Sequence, residues 1–247
     1  MMRALARLLG LLVVCAISLQ VYFVLRVAAM AVIDPQSTTF ERSEAWRLWR
    51  ERGVVPWSQS WVAEGAIADN LKRAVIASED AAFAEHGGID WEAIERAWER
   101  NQRAESSAQR PPAPGRSAPA RGRVPKIVGG STITQQLAKN LFLSGERTLA
   151  RKGQEFVLTW TLEALLSKRR ILEIYLNHVE WGEGVFGAQA AARHYFRIDA
   201  ARLGVSPSAR LAVMLPAPKR FERLPHSAYV AGRAATIAAR MGDVELP

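Results

Sequence analysis

The chain of 247 residues carries a single cysteine, Cys15, and it sits inside an apolar N-terminal run. No disulfide within the chain can form, and no cysteine-based metal site can be built. Histidine is scarce as well: His86, His178, His194 and His226 show no metal-ligand spacing, which speaks against a structural metal. No segment alternates apolar and polar residues over the length of a strand, so an all-β domain is excluded. No internal repeat is visible. Aromatic residues are missing where positive charge is densest. From Arg100 to Lys126 there are seven basic residues against one acid, Glu105, with five prolines, no aromatic, and Val124 as the one large aliphatic. Such a stretch cannot bury enough surface to fold alone. It reads as a mobile basic loop suited to anionic lipid, and it lacks the stacking partners of a nucleic-acid groove. Most of the formal charge of +9 resides there, so the basic balance does not imply nucleic-acid binding.

What is present begins with an anchor. Leu8 to Leu25 runs 18 residues without a charge, flanked by Arg3 and Arg7 before and Arg26 after. At 1.5 Å per residue the run spans about 27 Å, close to the hydrocarbon thickness of a bilayer. Arg26 can snorkel, and the residues to Ile33 can extend the span. The leading arginines favour an N-terminus in the cytoplasm and a body outside it. Ala29-Met30-Ala31 resembles a cleavage site, so a cleaved export signal is the alternative; both deliver the body to the same compartment. Val14 before Cys15 is too bulky for a lipoprotein signal.

The boundaries expected are a cytoplasmic start at 1–7, an anchor at 8–33, a connector at 34–56 and a mainly α-helical domain at 57–247, with the basic loop at 101–126. The connector is rich in tryptophan (Trp46 and Trp49, then Trp57 and Trp61), which suits either the membrane–water boundary or ordinary packing. Leu71, Val75 and Ile76 give a helical apolar face that leads into Ser78-Glu79-Asp80. Asp90 is placed to cap a helix through Trp98, Ser131 or Thr132 one through about Phe142, and Thr148 one that breaks near Ser167 and continues to about Asn177. Gly182, Gly184 and Gly187 mark a loop before an alanine-rich helix at 188–196. Ser206-Pro207 marks another helix start, ended by Pro216 and Pro218.

Several stretches have the composition of a site, and each also has a plain reading. Glu79, Phe83 and His86 fall at i, i+4 and i+7, on one face if the turn stays helical. A carboxylate with such neighbours at a cleft edge is a tuned proton acceptor; the plain reading is a solvated acidic pair, Glu79 and Asp80. Gly129-Gly130-Ser131-Thr132 offers unpaired N–H groups and a positive dipole end to phosphate, or is only a helix start. The polar series Gln135, Gln136, Lys139 and Asn140 is unusual for a packing helix. Arg151 and Lys152 stand four and three residues before Glu155, the spacing of simple surface ion pairs. In Lys168 to Asn177 the apolar residues read as core, with Glu173 orienting neighbours.

Taken in order, Ser78-Glu79-Asp80-Ala81-Ala82-Phe83-Ala84-Glu85-His86-Gly87-Gly88-Ile89-Asp90, the Gly129 to Asn140 block, Arg151-Lys152-Gly153-Gln154-Glu155 and Lys168 to Asn177 resemble the peptidoglycan glycosyltransferase domain, glycosyltransferase family 51. The resemblance covers roughly 57–224. It implies a lysozyme-like helical fold, Glu79 as catalytic base and Glu155 as the second essential carboxylate. The substrate-binding set it implies is Asp80, Phe83, His86, Ser131, Thr132, Gln135, Gln136, Lys139, Asn140, Arg151 and Lys152. Its reaction is inverting polymerisation of lipid II, with the nascent glycan strand as donor and a polyprenyl diphosphate released. The implied partners are lipid II, the strand, the bilayer and cell-wall synthesis or division machinery. No cofactor is required, although a divalent cation could bridge the substrate diphosphate.

The sequence departs from the family pattern in the long Pro/Arg insertion and at Pro207 and Arg210, which puts C-terminal packing in doubt. Among rivals, a lytic lysozyme-type enzyme gains little from a diphosphate-binding cluster. A non-catalytic scaffold would have no need of both Glu79 and Glu155. A bifunctional penicillin-binding protein is opposed by the lack of a transpeptidase serine motif and by the 23 residues after Leu224.

Overall fold

The computed structural model describes residues 2–109, 130–146 and 148–247. Among them run eleven α-helices: α1 (Met2–Ala29), α2 (Thr39–Arg52), α3 (Asp69–Glu79), α4 (Trp91–Gln109), α5 (Ile133–Phe142), α6 (Leu149–Leu165), α7 (Lys168–His178), α8 (Ala188–Phe196), α9 (Val205–Met214), α10 (Pro218–Phe221) and α11 (Ala228–Arg240). Three short strands complete the frame, β1 (Ser58–Gln59), β2 (Glu180–Gly182) and β3 (Val185–Phe186). The mainly helical fold expected from the periodicities is the one observed.

α1 is long and apolar enough to cross a membrane, with a mean hydropathy of 2.5 over its best window. Of the residues expected to extend the span, Val27 and Met30 turn into the protein core while Val32 and Ile33 stay exposed. α1 also rests on the body. Gln20 and Gln154 exchange amide hydrogen bonds of 2.9 and 3.2 Å, and Phe23 meets Phe142 edge-on at 5.3 Å.

The connector is not an open segment. Thr38 accepts the N–H of Glu41 while Glu41 accepts that of Thr38, a reciprocal cap that starts α2. Glu41 is buried and also bonds His178 at 2.7 Å and Gln59 at 2.8 Å. α2 therefore belongs to the packed body, lying against α5. Trp46 and Trp49 point outward, 59 % and 53 % exposed, so ordinary packing does not account for them.

The core gathers the apolar faces of α3, α5, α6, α7 and α9. Leu71, Val75 and Ile76 of α3 are buried as the periodicity predicts, with Ile171, Leu172 and Ile174 of α7. Helix starts follow from side-chain caps: Thr132 for α5, Thr148 for α6, Ser167 for α7. Asp90 accepts the Ala93 N–H and starts α4, but α4 runs to Gln109 rather than ending near Trp98. Its arginines, alanines and glutamates are good helix formers, so no breaker stops it there. The first residues of the expected 101–126 loop are thus helical, and the rest of that loop lies outside the described residues.

The glycine-rich stretch at 182–187 forms a hairpin, not an open loop. β2 pairs antiparallel with β3, and β1 adds in parallel on the other side of β3. Gly184 has φ +73° and its α-carbon faces the Pro56 carbonyl so closely that a Cβ would overlap it. This close approach lets the Gly184 carbonyl accept the Ser58 N–H at 2.8 Å. α9 starts one residue before Ser206, at Val205, with Gly204 and no side-chain cap at its head. Despite Pro207 and Arg210, α9 packs closely on α3 and α11; Arg210 points to the rim and bonds the Pro225 carbonyl.

Candidate active site

Glu79 is the last residue of α3, and the chain turns sharply after it. The helical face expected for Glu79, Phe83 and His86 does not exist, because Asp80 leaves the helix. Asp80 Oδ2 accepts the Ile133 N–H at 2.9 Å, and Oδ1 accepts from His86 Nε2 at 2.8 Å. A buried carboxylate thus sits on the N-terminus of α5, the position where the helix dipole favours negative charge. His86 Nδ1 accepts the Gly88 N–H at 3.0 Å, which leaves the ring proton on Nε2 facing Asp80. Gly88 has φ +88°, and a Cβ there would run into Thr159 and Glu163.

These bonds redistribute the expected substrate set. Phe83 is fully buried and packs the turn, with Lys168 over its ring at 4.6 Å. His86 and Asp80 spend their polar atoms on each other and on backbone. Thr132 and Gln135 form a reciprocal cap, with the Thr132 hydroxyl also donating to the Gly88 carbonyl. With the N–H groups of Thr132, Ile133 and Gln135 taken by protein oxygens, the first turn of α5 is no open phosphate cradle. Ser131 is exposed at the cleft edge, and Asn140 is half-buried at the far end of α5.

Glu79 itself looks into a cleft of about 340 Å³ between α3, α4, the start of α5 and α11, with Asp80, Ser131, Arg96 and Arg233 on its walls. Gln136 donates to Glu79 Oε2 at 3.1 Å, and its carbonyl oxygen accepts from the Tyr175 hydroxyl at 3.0 Å. Tyr175 is buried, and burial together with Glu79 and Asp80 holds its hydroxyl protonated. The phenol therefore fixes which end of the Gln136 amide faces Glu79. Burial pushes the Glu79 carboxyl above its ordinary value of 4.5; Gln136 and Ser78 oppose this by hydrogen bonding, Asp80 adds to it, and Arg233 opposes. The cleft is not the largest cavity. One of about 470 Å³ lies between α9 and α11, but its walls carry no carboxylate, so volume does not mark the chemistry.

The cationic cluster forms on α5 and α6. Glu155 is buried; Arg151 bonds its Oε2 at 2.9 Å and Lys152 its Oε1. Both oxygens of this expected second catalytic carboxylate are bonded, so Glu155 holds two cations. Lys139, one turn along α5 from Gln136, is an exposed residue. Desolvation by the surrounding protein lowers the Lys139 pKa; Glu155 opposes, while Arg151 and Lys152 add to the lowering. Three cations thus crowd a single buried carboxylate, an arrangement that an added anion relieves. Glu173 accepts the Glu64 N–H at 2.9 Å and pairs with Arg170 at 2.7 Å, the orienting role expected of it. Among the described residues no three His, Cys, Asp or Glu side chains gather as a metal site.

Sequence reasoning missed the basic wall of the cleft. Arg233 and Arg240 come from the C-terminal helix and Arg96 and Arg100 from α4, and no local pattern near them marks a site.

The transglycosylase family profile matches residues 51–110 and 115–242. The chain belongs to the transglycosylase family. It is 52% identical over 228 residues to a protein of Burkholderia thailandensis named biosynthetic peptidoglycan transglycosylase, covering 92% of this chain and 82% of that one. Relatives of the same name in Burkholderia ambifaria and Burkholderia pseudomallei are 51% identical over 92% of this chain, which covers 85% and 82% of theirs. The profile passes over 111–114, within the Pro/Arg-rich insertion.

Proposed function

We propose that this peptidoglycan glycosyltransferase extends glycan strands from lipid II with Glu79 as its base. The growing strand is the donor, its sugar C1 joined to a polyprenyl diphosphate. Glu79 takes the proton from the 4-hydroxyl of the incoming lipid II as that oxygen bonds to C1. The C1–O bond to the diphosphate breaks with its electron pair, and C1 inverts. Carboxylate and leaving group then lie on opposite faces of the sugar, as in inverting glycosidases.

The observation that carries this reading is the Tyr175–Gln136–Glu79 chain at the cleft edge. It aims a carboxylate of raised pKa into open space, which suits general-base work. The departing diphosphate needs charge more than a proton, and Lys139, Arg151 and Lys152 supply it. Glu155 is a positioning residue for those cations. Asp80, His86 and Thr132 are positioning residues for the turn that carries Glu79.

α1 anchors the chain in the bacterial inner membrane, with Arg3 and Arg7 in the cytoplasm and the body on the periplasmic side. Its contact with α6 through Gln20 and Gln154 supports a diphosphate site close to the lipid that bears the substrate. Partners in cell-wall synthesis or division machinery fit this placement. A divalent cation bridging the diphosphate would ride on substrate oxygens, since the carboxylates of the cationic cluster and of the turn are already bonded. Chelation with EDTA tests that point.

The function is tested by incubating detergent-solubilised protein with labelled lipid II. Muramidase-sensitive polymer is expected. Intact substrate after incubation with folded protein contradicts the proposal.

A further inference from the structure

The elbow where α1 ends and α2 begins encloses a cavity of about 370 Å³ that shares no lining residue with the Glu79 cleft. Ala29, Met30 and Ile33 form its apolar side, and Arg26 and Arg42 stand on its wall. Neither arginine has a carboxylate within ion-pair distance among the described residues. Arg42 bonds only neutral oxygens, the Ser37 carbonyl and hydroxyl at 3.4 and 2.9 Å and the Thr39 hydroxyl at 3.0 Å. Arg26 is exposed on the last turn of α1. Asp34, the acid on the same wall, has its charge answered by Arg170 at 2.7 Å. Two full positive charges therefore face one small cavity with no counter-charge of their own.

The apolar surroundings give this cavity a direction. An exposed apolar strip of α1 runs along Ile17, Val21 and Leu25. Those residues recur at i+4, and the next position in the row is Ala29, on the apolar side of the cavity. An apolar row suited to an acyl chain thus leads along one face of the helix to the cavity that the two arginines face. Within the elbow, Val32 and Ile33 are 85 % and 61 % exposed, a state that water disfavours and a bilayer interface accepts. The outward face of α2 continues the surface with Arg42, Trp46, Trp49 and Arg50, where the two indoles lie 5.0 Å apart. Tryptophan and arginine side by side are the composition of a headgroup layer.

We infer that the α1–α2 elbow is a binding site for one anionic phospholipid, its phosphodiester between Arg26 and Arg42 and an acyl chain along Ile17, Val21 and Leu25. The site rests on the reading of α1 as a membrane anchor. It does not overlap the substrate machinery, and it would fix the depth and tilt at which the body meets the bilayer.

Native mass spectrometry of the full chain in neutral detergent, with phosphatidylglycerol or phosphatidylcholine of identical acyl chains, measures the preference directly. Two arginines near a lipid phosphate correspond to about a tenfold or greater preference for the anionic lipid. Arg26→Gln/Arg42→Gln is expected to bring the two lipids to parity. Arg26→Gln alone, at an exposed residue without a partner, is expected to lower the preference part of the way. Arg3→Gln/Arg7→Gln removes the same charge from the other end of α1 and should keep the preference. The inference is overturned if the Arg26/Arg42 pair can be replaced with no loss. It is equally overturned if the Arg3/Arg7 control loses as much, or if millimolar inorganic phosphate displaces the bound lipid, which would mark a free-anion site. Alkaline carbonate extraction of wild-type membranes tests the anchor separately: release of the chain sinks the anchoring, while retention with no lipid preference sinks only the site.

Discussion

Asp80→Ala separates a positioning carboxylate from a substrate-binding one. In the native fold Asp80 is 6 % exposed, and its two oxygens take the Ile133 N–H at 2.9 Å and His86 Nε2 at 2.8 Å. Alanine leaves two donors unpaired in a buried place, at about 1–3 kcal/mol each. Loss of a carboxylate from the head of α5 adds up to about 1 kcal/mol. Allowing for water entering the gap, a destabilisation of roughly 3–5 kcal/mol is expected, which lowers the melting temperature by about 10 °C in a chain of this size. Circular dichroism of the detergent-solubilised chain reads it. A double-mutant cycle with His86→Ala should show a coupling of about 1 kcal/mol or more, since each side chain satisfies the other. The KM for lipid II of the folded fraction should stay within about threefold of wild type. A melting temperature within about 2 °C of wild type, together with a clearly raised KM, would refute the positioning role and return Asp80 to the substrate contacts.

Phe83→Ala opens a cavity in a fully buried position and should cost about 3–5 kcal/mol in chemical denaturation, with little change in KM. Lys139→Ala should lower polymerisation much more than stability, because the residue is exposed and has no carboxylate within ion-pair distance among the described residues; a large drop in melting temperature with unchanged donor binding contradicts this. As a base, Glu79 must be ionised, so activity should fall as pH drops through its raised pKa. Gln136→Leu and Arg233→Ala each remove a group that favours the ionised form, and both should move that acid limb to higher pH. Glu180, buried beside β3, is pushed by burial from 4.5 to about 7. Its folded pKa lies above its unfolded one, so its contribution to stability is complete below pH 4.5 and is lost as pH rises to about 7. Glu180→Gln should flatten that slope and stabilise the fold above pH 7, by up to about 3 kcal/mol.

Much of the site was legible because its signals are local. Thr148, Arg151, Lys152 and Glu155 sit within two turns of one helix, and the i+3 and i+4 spacings translate directly into the observed ion pairs. The caps of α5 and α7 were equally readable. The turn after Glu79 was not: Ala81, Ala82 and Phe83 carry no breaker, and the helix ends there because Asp80 is drawn to the head of a distant helix. Long-range satisfaction of a buried N–H overrides weak local propensity. The same cause hid the fate of the head of α5, where the Thr132 N–H is taken by Gln135 and the Ile133 N–H by Asp80; Gly129 lies outside the described residues. Thr38 and Glu41 form a capping box that the sequence does display, masked by the tryptophans around it. Arg233 could not have been found locally, since only packing of α11 against α3 brings it to Glu79.

The central claim is that Glu79 is the base in strand elongation, and Glu79→Gln tests it most directly. Glutamine keeps the size of the side chain and an oxygen for the Gln136 N–H, but it cannot accept the proton. With labelled lipid II, the initial rate of muramidase-sensitive polymer should fall at least about 100-fold, with the melting temperature held within about 2 °C. A rate within about tenfold of wild type would show that another group takes the proton.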